Sequence, residues 1–441
     1  MLGNGDLREL ALDKSAENNI AGNPDRIAVI GAGISGITAA WLLSRRYCVT
    51  LIEKESRLGG HAYTHHLDSG PDKGIPVDMG FIVLNDRNYP TLETLFSQWG
   101  VRTQNSDMSF GFEDKESGFY YSSDVPGGLF ARQKNLISPA FWFLVRDIFR
   151  FNRIARKELK AGLGNLTLGQ FLDKHRFSKA YIDFHMVPIS AAVWSTPSEN
   201  ILDFPAEAIL RFYDHHGLLT LADRPQWRTV VGGSVSYVQA FEKQFQGSVK
   251  KNSPVLHVKR MQDTIKVTFE DHTEMNYDKV VLATHADISR RLLVNPEPEE
   301  SRILNKWTYT QNHITLHSDR SVMPPKERAW ASWSYVKMSP KQQTLAINMS
   351  YYMNRLQRLK TKKKYFVTLN GDPWIDSIQQ IKSVVFDHPC YTFDSLSTHK
   401  ELDGINGKNR IFYCGAYCGY GFHEDGARSG VAVAQKLGVE L

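Results

Sequence analysis

Arg26-Ile27-Ala28-Val29-Ile30 runs into Gly31-Ala32-Gly33-Ile34-Ser35-Gly36, continues through Trp41-Leu42-Leu43-Ser44-Arg45-Arg46, and returns as Val49-Thr50-Leu51-Ile52-Glu53. The first apolar run predicts a buried strand, Ser35 to Arg46 a helix, and Val49 to Glu53 a second, parallel strand. Gly31, Gly33 and Gly36 fit G-x-G-x-x-G, in which the first glycine makes the tight turn, the second lets backbone approach a pyrophosphate, and the third lets helix lie on strand. The phosphate would sit at the positive end of the helix. Glu53 ends the next strand, where a carboxylate accepts from ribose hydroxyls and repels a 2′-phosphate. FAD and NAD fit this pattern; NADP does not.

Working outward, the chain has 441 residues, 42% of them hydrophobic and 23% charged, which suits an ordinary globular protein and excludes wholesale disorder. Lys plus Arg number 53 against 47 acids, a net charge of +6 that is too small to argue nucleic-acid binding. The four cysteines (Cys48, Cys390, Cys414, Cys418) form no zinc spacing, so no metal site is expected and a reducing, cytoplasmic setting is. No apolar stretch reaches the roughly 18 residues of a spanning helix. The first twenty residues lack a basic segment followed by an apolar core, so export is not expected, and residues 1–23 read as a mobile arm.

Further strands are expected at Val255–Val258, Ile265–Phe269 and Lys279–Thr284, with Glu270-Asp-His-Thr-Glu-Met-Asn-Tyr-Asp278 as a turn. A last strand runs from Arg410 to Gly415, and a helix is expected from Asp425. Between these lie a helical, aromatic block from Leu129 to Tyr213 and a mixed block from Ser301 to Phe393.

Taken in order, these segments resemble the flavin-containing amine oxidase and phytoene desaturase superfamily. Its dinucleotide fingerprint resembles Gly31–Gly36 with Glu53 and Lys54, and its R-x-GG-R signature resembles Arg57-Leu58-Gly59-Gly60-His61. Asp78-Met79-Gly80-Phe81 looks like the segment returning beside the flavin, the stretch from Trp227 like the glycine-rich approach to a second cofactor-binding segment that includes Val255, and Ala283-Thr284 like the end of the strand at the flavin edge. The closing flavin motif resembles Gly415 to Gly430, with Asp425, Gly426 and Ala427 at the ring. More narrowly, Ala191-Ala-Val-Trp194 through Ala206 and the closing motif are similar to a bacterial subgroup of FAD-binding oxidoreductases, itself similar to the FAD domain of plant cyclopropane fatty-acid synthases. The resemblance implies a lipid acyl substrate and a lipid methyltransferase partner. His61 departs from the usual arginine, Tyr417 stands where an acid commonly follows the closing glycine, and the flavin-proximal lysine of amine oxidases has no counterpart that the sequence places.

The expected fold is α/β, a discontinuous Rossmann-like FAD domain (24–100, 228–300 and 395–441) carrying an α+β substrate domain built from a helical segment, 101–227, and a mixed segment, 301–394. The expected function is FAD-dependent oxidation or desaturation of an apolar, acyl-chain substrate by hydride transfer to flavin N5. Alternatives are an amine oxidase producing peroxide and a non-catalytic FAD-binding partner of a lipid methyltransferase. His423 ranks first among general-base candidates, ahead of His285, His317 with Asp319, and His61, because it lies between the glycine turn and the helix facing the ring. Tyr417 and Tyr420 would form an aromatic wall beside it. Trp194, Trp330, Trp333 and Tyr335 suit an apolar substrate pocket. Phe141 to Lys160 alternates aromatic and basic residues, a pattern for a core-facing helix with a solvated rim or for contact with an anionic membrane.

Overall fold

Arg26–Ile30 lies at the centre of a five-stranded sheet, and Ile27 to Val29 are wholly shielded from water, as a strand covered on both faces requires. Across the sheet the order is Ser248–Lys250, Cys48–Ile52, Arg26–Ile30, Lys279–Leu282 and Ile411–Tyr413, every pairing parallel. Counted along the chain this is order 3-2-1-4-5. The order reverses between Arg26–Ile30 and Lys279–Leu282, and ligands of such sheets bind beyond the carboxyl ends of the strands at that reversal. Gly31 and Ala283 occupy it. This computed structural model describes residues 24–124, 126–194, 201–220, 224–338 and 348–441; residues 1–23, read above as an arm, and Ser195–Asn200 of the subgroup motif lie outside the described residues.

All ten residues of the helix Ile34–Leu43 are buried, because the sheet covers one side and the closing helix His423–Lys436 packs on the other. Glycines in the closing helix permit that approach. A Cβ on Gly426 would stand 2.7 Å from Ile34 Cγ2, and one on Gly430 would stand 2.5 Å from the Ser35 carbonyl oxygen. The starts of these two helices, nearly the full chain apart in sequence, are therefore neighbours.

Two expected boundaries are corrected. The closing helix starts at His423, not Asp425: Gly421 turns the chain at φ +90°, Phe422 is the extended residue preceding the helix, and the Asp425 carboxylate reaches back to accept the Phe422 N–H. The segment Glu270–Asp278 is not turn throughout. Glu274–Tyr277 is the third strand of an antiparallel meander with Val255–Arg260 and Ile265–Phe269, placing Tyr277 inward, and the turn shrinks to the residues around His272.

A second, seven-stranded sheet runs Gln380–Pro389, Tyr309–His317, Phe366–Leu369, Met349–Tyr352, Trp333–Lys337, Phe110–Asp114 and Phe119–Ser122. Only Trp333–Lys337 with Phe110–Asp114 is parallel. Helices Pro139–Ala161, Leu168–Lys174, Val187–Trp194 and Ala206–His215 supply the helical block anticipated from sequence.

Candidate cofactor and active site

The glycine turn is shaped by what its side chains would strike. Gly31 has φ +99°, and a Cβ there would lie 2.7 Å from the Ala283 carbonyl oxygen; a Cβ on Gly36 would overlap the Gly31 carbonyl. These two glycines therefore seat helix and strand together. Gly33 differs, because a Cβ there would meet nothing within 4 Å. Its bare backbone faces open space at the head of Ile34–Leu43, where first-turn N–H groups have no intrahelical partner. Gly60 closes the other side, its Cβ position 3.1 Å from Gly33 Cα. Such a cradle fits a pyrophosphate.

The Glu53 side chain is buried at 8% exposure and accepts the Ala32 N–H at 2.8 Å and the Glu55 N–H at 3.0 Å. A carboxylate has about four acceptor sites, so two remain for ribose hydroxyls. Val255 begins the strand beyond the Glu53 loop, where Ser253 donates its N–H to the Glu53 carbonyl. Arg57 is spent on the protein: its guanidinium donates to the carbonyls of Gly60 (2.9 Å) and Ala62 (3.2 Å) and lies over the Tyr63 ring. It therefore shapes the loop rather than reaching outward. The Lys54 side chain is 72% exposed beside Glu55, so it stands in solvent.

At the other end of the chain, Gly415 donates its N–H to the Ser429 hydroxyl at 2.9 Å. The Asp425 carboxylate accepts from Tyr420 N–H, Phe422 N–H and Arg428, and Ala427 is fully buried, so both brace the helix start. The structure parts His423 from the other two expected catalytic residues, which both meet His399. Tyr417 is buried edge-on to Trp307, its carbonyl takes a hydrogen bond from His399 Nε2, and Tyr420 meets His399 edge-on. His423 instead stacks on Phe81 at 3.8 Å, with Nε2 3.3 Å from the Tyr237 hydroxyl; burial pushes its imidazole down to about 3. A ring held between Phe81 and a wholly buried tyrosine is a poor base.

A different set of rings meets where His61 and His285, from connections of the cofactor half, approach the edge strand Gln380–Pro389 of the second sheet. His61 lies 4.6 Å from Phe386, 5.4 Å from His388 and 6.0 Å from His285. His285 stacks on Tyr309 at 4.4 Å and 9°, and the Tyr309 hydroxyl accepts the Ala286 N–H. Phe386 and His388 arrive together because alternate residues of Gln380–Pro389 share a face, and the pairing with Tyr309–His317 fixes their position. Burial, reinforced by neighbouring imidazoles, holds His61 well below its ordinary range and His388 at about 4; burial also lowers His285. Asp387 opposes this by raising the proton affinity of His285 and His388, without reversing it. His388 Nδ1 accepts from Asn312 at 3.0 Å, which leaves the hydrogen of the neutral ring on Nε2. A His61 ring N–H donates to the Asp387 carbonyl, which in a neutral ring makes the other nitrogen an acceptor. Phe386, His388 and Tyr309 carry no motif in the sequence that would mark them as site residues.

Asp78 ties the cofactor half to the second sheet. Its carboxylate, fully buried, accepts from the Thr64 hydroxyl, the Ser234 N–H and hydroxyl, and Gln357 Nε2. Burial pushes the acid up to about 6, while its donors pull the other way. The expected aromatic pocket loses Trp330, which sits in a separate cluster with Phe366, while Trp194 packs on Phe204 and Phe212, Trp333 on Tyr351 and Tyr335 on Phe112 within the main core. His317 is buried in the second sheet between Thr368 and the Asp319 N–H. Cys414 and Cys418 are free, with burial pushing the Cys418 thiol up to about 12, so neither is a thiolate.

The profile of the family described as "Flavin containing amine oxidoreductase" matches residues 34–383, most of the chain. The chain belongs to this family, a class of FAD-dependent oxidoreductases, and the cofactor its cradle fits is FAD. It is 30% identical to an L-amino-acid oxidase of Naja atra over 121 residues (27% of this chain, 22% of that protein). It is 24% identical to polyamine oxidase 4 of Oryza sativa subsp. japonica over 324 residues (69% and 61%). The chain thus spans between about a fifth and three fifths of these relatives. Among solved structures it is similar to a CLA-producing fatty acid isomerase from P. acnes, with a TM-score of 0.68, 15% identity, and 93% of this chain and 98% of that one covered. At that identity the likeness shows the fold.

Proposed function

We propose that the protein oxidises or desaturates an apolar substrate, the acyl chain of a lipid. One observation carries the reading: the side chains converging at the edge strand Gln380–Pro389 are Phe386, Tyr309 and imidazoles that burial keeps uncharged, an environment that favours a hydrocarbon over an ion. When bound, FAD supplies the hydride acceptor. The cradle of Gly31, Gly33, Gly36 and Gly60 with Glu53 would hold its ADP half, and the head of His423–Lys436 would present positive N–H dipoles to charge gathering on the ring. His61, neutral and with one ring N–H held by the Asp387 carbonyl, would orient the substrate by hydrogen bonding, its lowered proton affinity making it a poor base like His423. The solved fatty acid isomerase of like fold is consistent with an acyl substrate.

A second reading, amine oxidation, is favoured by the family match and by the rice polyamine oxidase. Anaerobic mixing of the yellow protein with acyl-lipid extracts and, separately, with an amine panel distinguishes the two. Loss of the oxidised-flavin absorbance with lipid alone is expected. Bleaching by amines alone, with peroxide on readmitting air, replaces the acyl reading with the amine one. Bleaching by neither, together with co-purification of a lipid methyltransferase, favours a non-catalytic partner.

A further inference from the structure

The helix Pro139–Ala161 buries Phe141, Leu144, Phe151 and Ala155 against the substrate half. Its opposite side is unusual. At 100° per residue, Trp142, Phe149, Arg153, Arg156, Lys157 and Lys160 fall within an arc of about 100°. Trp142 and Phe149 are 48% and 54% exposed, and the turn leading into the helix adds Ile137 at 85%. Among the described residues, five of the eleven large apolar side chains that stand in solvent lie between residues 136 and 149. The acids of this helix do not balance its cations: Asp147 is buried among Arg146, Arg150 and the Ser178 N–H, and Glu158 pairs with Lys174.

The order along the axis matters as much as the face. Exposed apolar groups lie toward the start and uncompensated cations toward the end; at 1.5 Å per residue, Trp142 to Phe149 and Arg153 to Lys160 each span about 10 Å of the axis. We propose that this face docks on an anionic bilayer, with Ile137, Trp142 and Phe149 entering the acyl boundary and Arg153, Lys157 and Lys160 resting on the phosphate layer. A bilayer surface offers both an apolar interior and a dense negative layer, which matches the split in the helix. Contact is peripheral, since no described helix is long and apolar enough to span. The proposal stands apart from the choice of substrate.

The test is flotation of the flavin-loaded protein with phosphatidylcholine vesicles and with vesicles that also contain phosphatidylglycerol, at low and high salt. Binding to the anionic vesicles that salt releases is expected. W142S/F143S/F149S should weaken partitioning about a hundredfold, and R153Q/K157Q/K160Q should do so by a similar factor of about a hundred. All six side chains are exposed, so retained flavin absorbance and an unchanged melting temperature certify folding. Wild-type protein that ignores anionic vesicles overturns the proposal, as does an aromatic triple variant that binds them equally well. Self-association lost in that variant, without vesicle binding, assigns the face to a second copy and also overturns it.

Discussion

Replacing Glu53 by glutamine changes almost no volume and separates two roles of one side chain. The carboxylate holds the Ala32 and Glu55 N–H groups with different oxygens, so an amide must turn its NH2 toward one of them. One charge-assisted bond is lost and a buried donor is left facing a donor, about 2–4 kcal/mol in all. That loss belongs to the cofactor-free protein and should appear as a lower urea midpoint. Losing the charged acceptor for ribose hydroxyls removes about 1.5–3 kcal/mol more from the complex, a rise of about 10- to 150-fold in the FAD dissociation constant. Flavin fluorescence on titrating apoprotein measures the second quantity and urea unfolding the first. A dissociation constant within about threefold of wild type, beside the expected fall in apoprotein stability, would show that Glu53 braces the turn and that the nucleotide lies elsewhere.

Gly31→Ala forces an L side chain to φ +99° against the Ala283 carbonyl, about 1–3 kcal/mol of backbone strain before the clash is counted; purified protein should be depleted of flavin by absorbance ratio. Asp78→Ala strands four protein donors and should destabilise by at least about 3 kcal/mol, read as a lowered melting temperature, whereas a loss below about 1 kcal/mol would remove its bridging role. His317 is wholly buried and neutral, with burial pushing it down to about 4. Its unfolded form binds a proton first, so its stabilising contribution is complete above about pH 6.5 and falls by about 3 kcal/mol as pH drops toward 4. Urea midpoints should decline more steeply with acid in wild type than in His317→Gln, and parallel slopes would contradict this. His388→Leu should keep bound flavin but alter the rate at which substrate reduces it; flavin loss instead would make His388 a structural support.

What could be read from the chain was what local spacing encodes. Gly31, Gly33, Gly36 and Glu53 lie within one strand-turn-helix-strand unit, so their meeting follows from element geometry. The closing motif was legible as strand, turn and helix, though not its starting residue, because the Asp425 carboxylate caps the Phe422 N–H from inside the first turn rather than standing before it. The ring cluster was not legible. His61, His285 and His388 meet only through the register of Tyr309–His317 on Gln380–Pro389, and a one-residue slip would turn His388 and Phe386 to the other face. Nor did composition reveal that Trp330 and Trp333, three residues apart, serve different clusters.

The 3-2-1-4-5 sheet has a temporal consequence for biosynthesis. Its first two strands emerge early from the ribosome, but the neighbour on one side, Lys279–Leu282, comes only after the helical block, and the last strand with its glycine-bearing helix only after the whole second sheet has been made. Until then Ile34–Leu43 presents an apolar side with nothing to cover it. Flavin capture should therefore be a late event, and nascent chains stalled before Ile411 should recruit chaperones rather than cofactor.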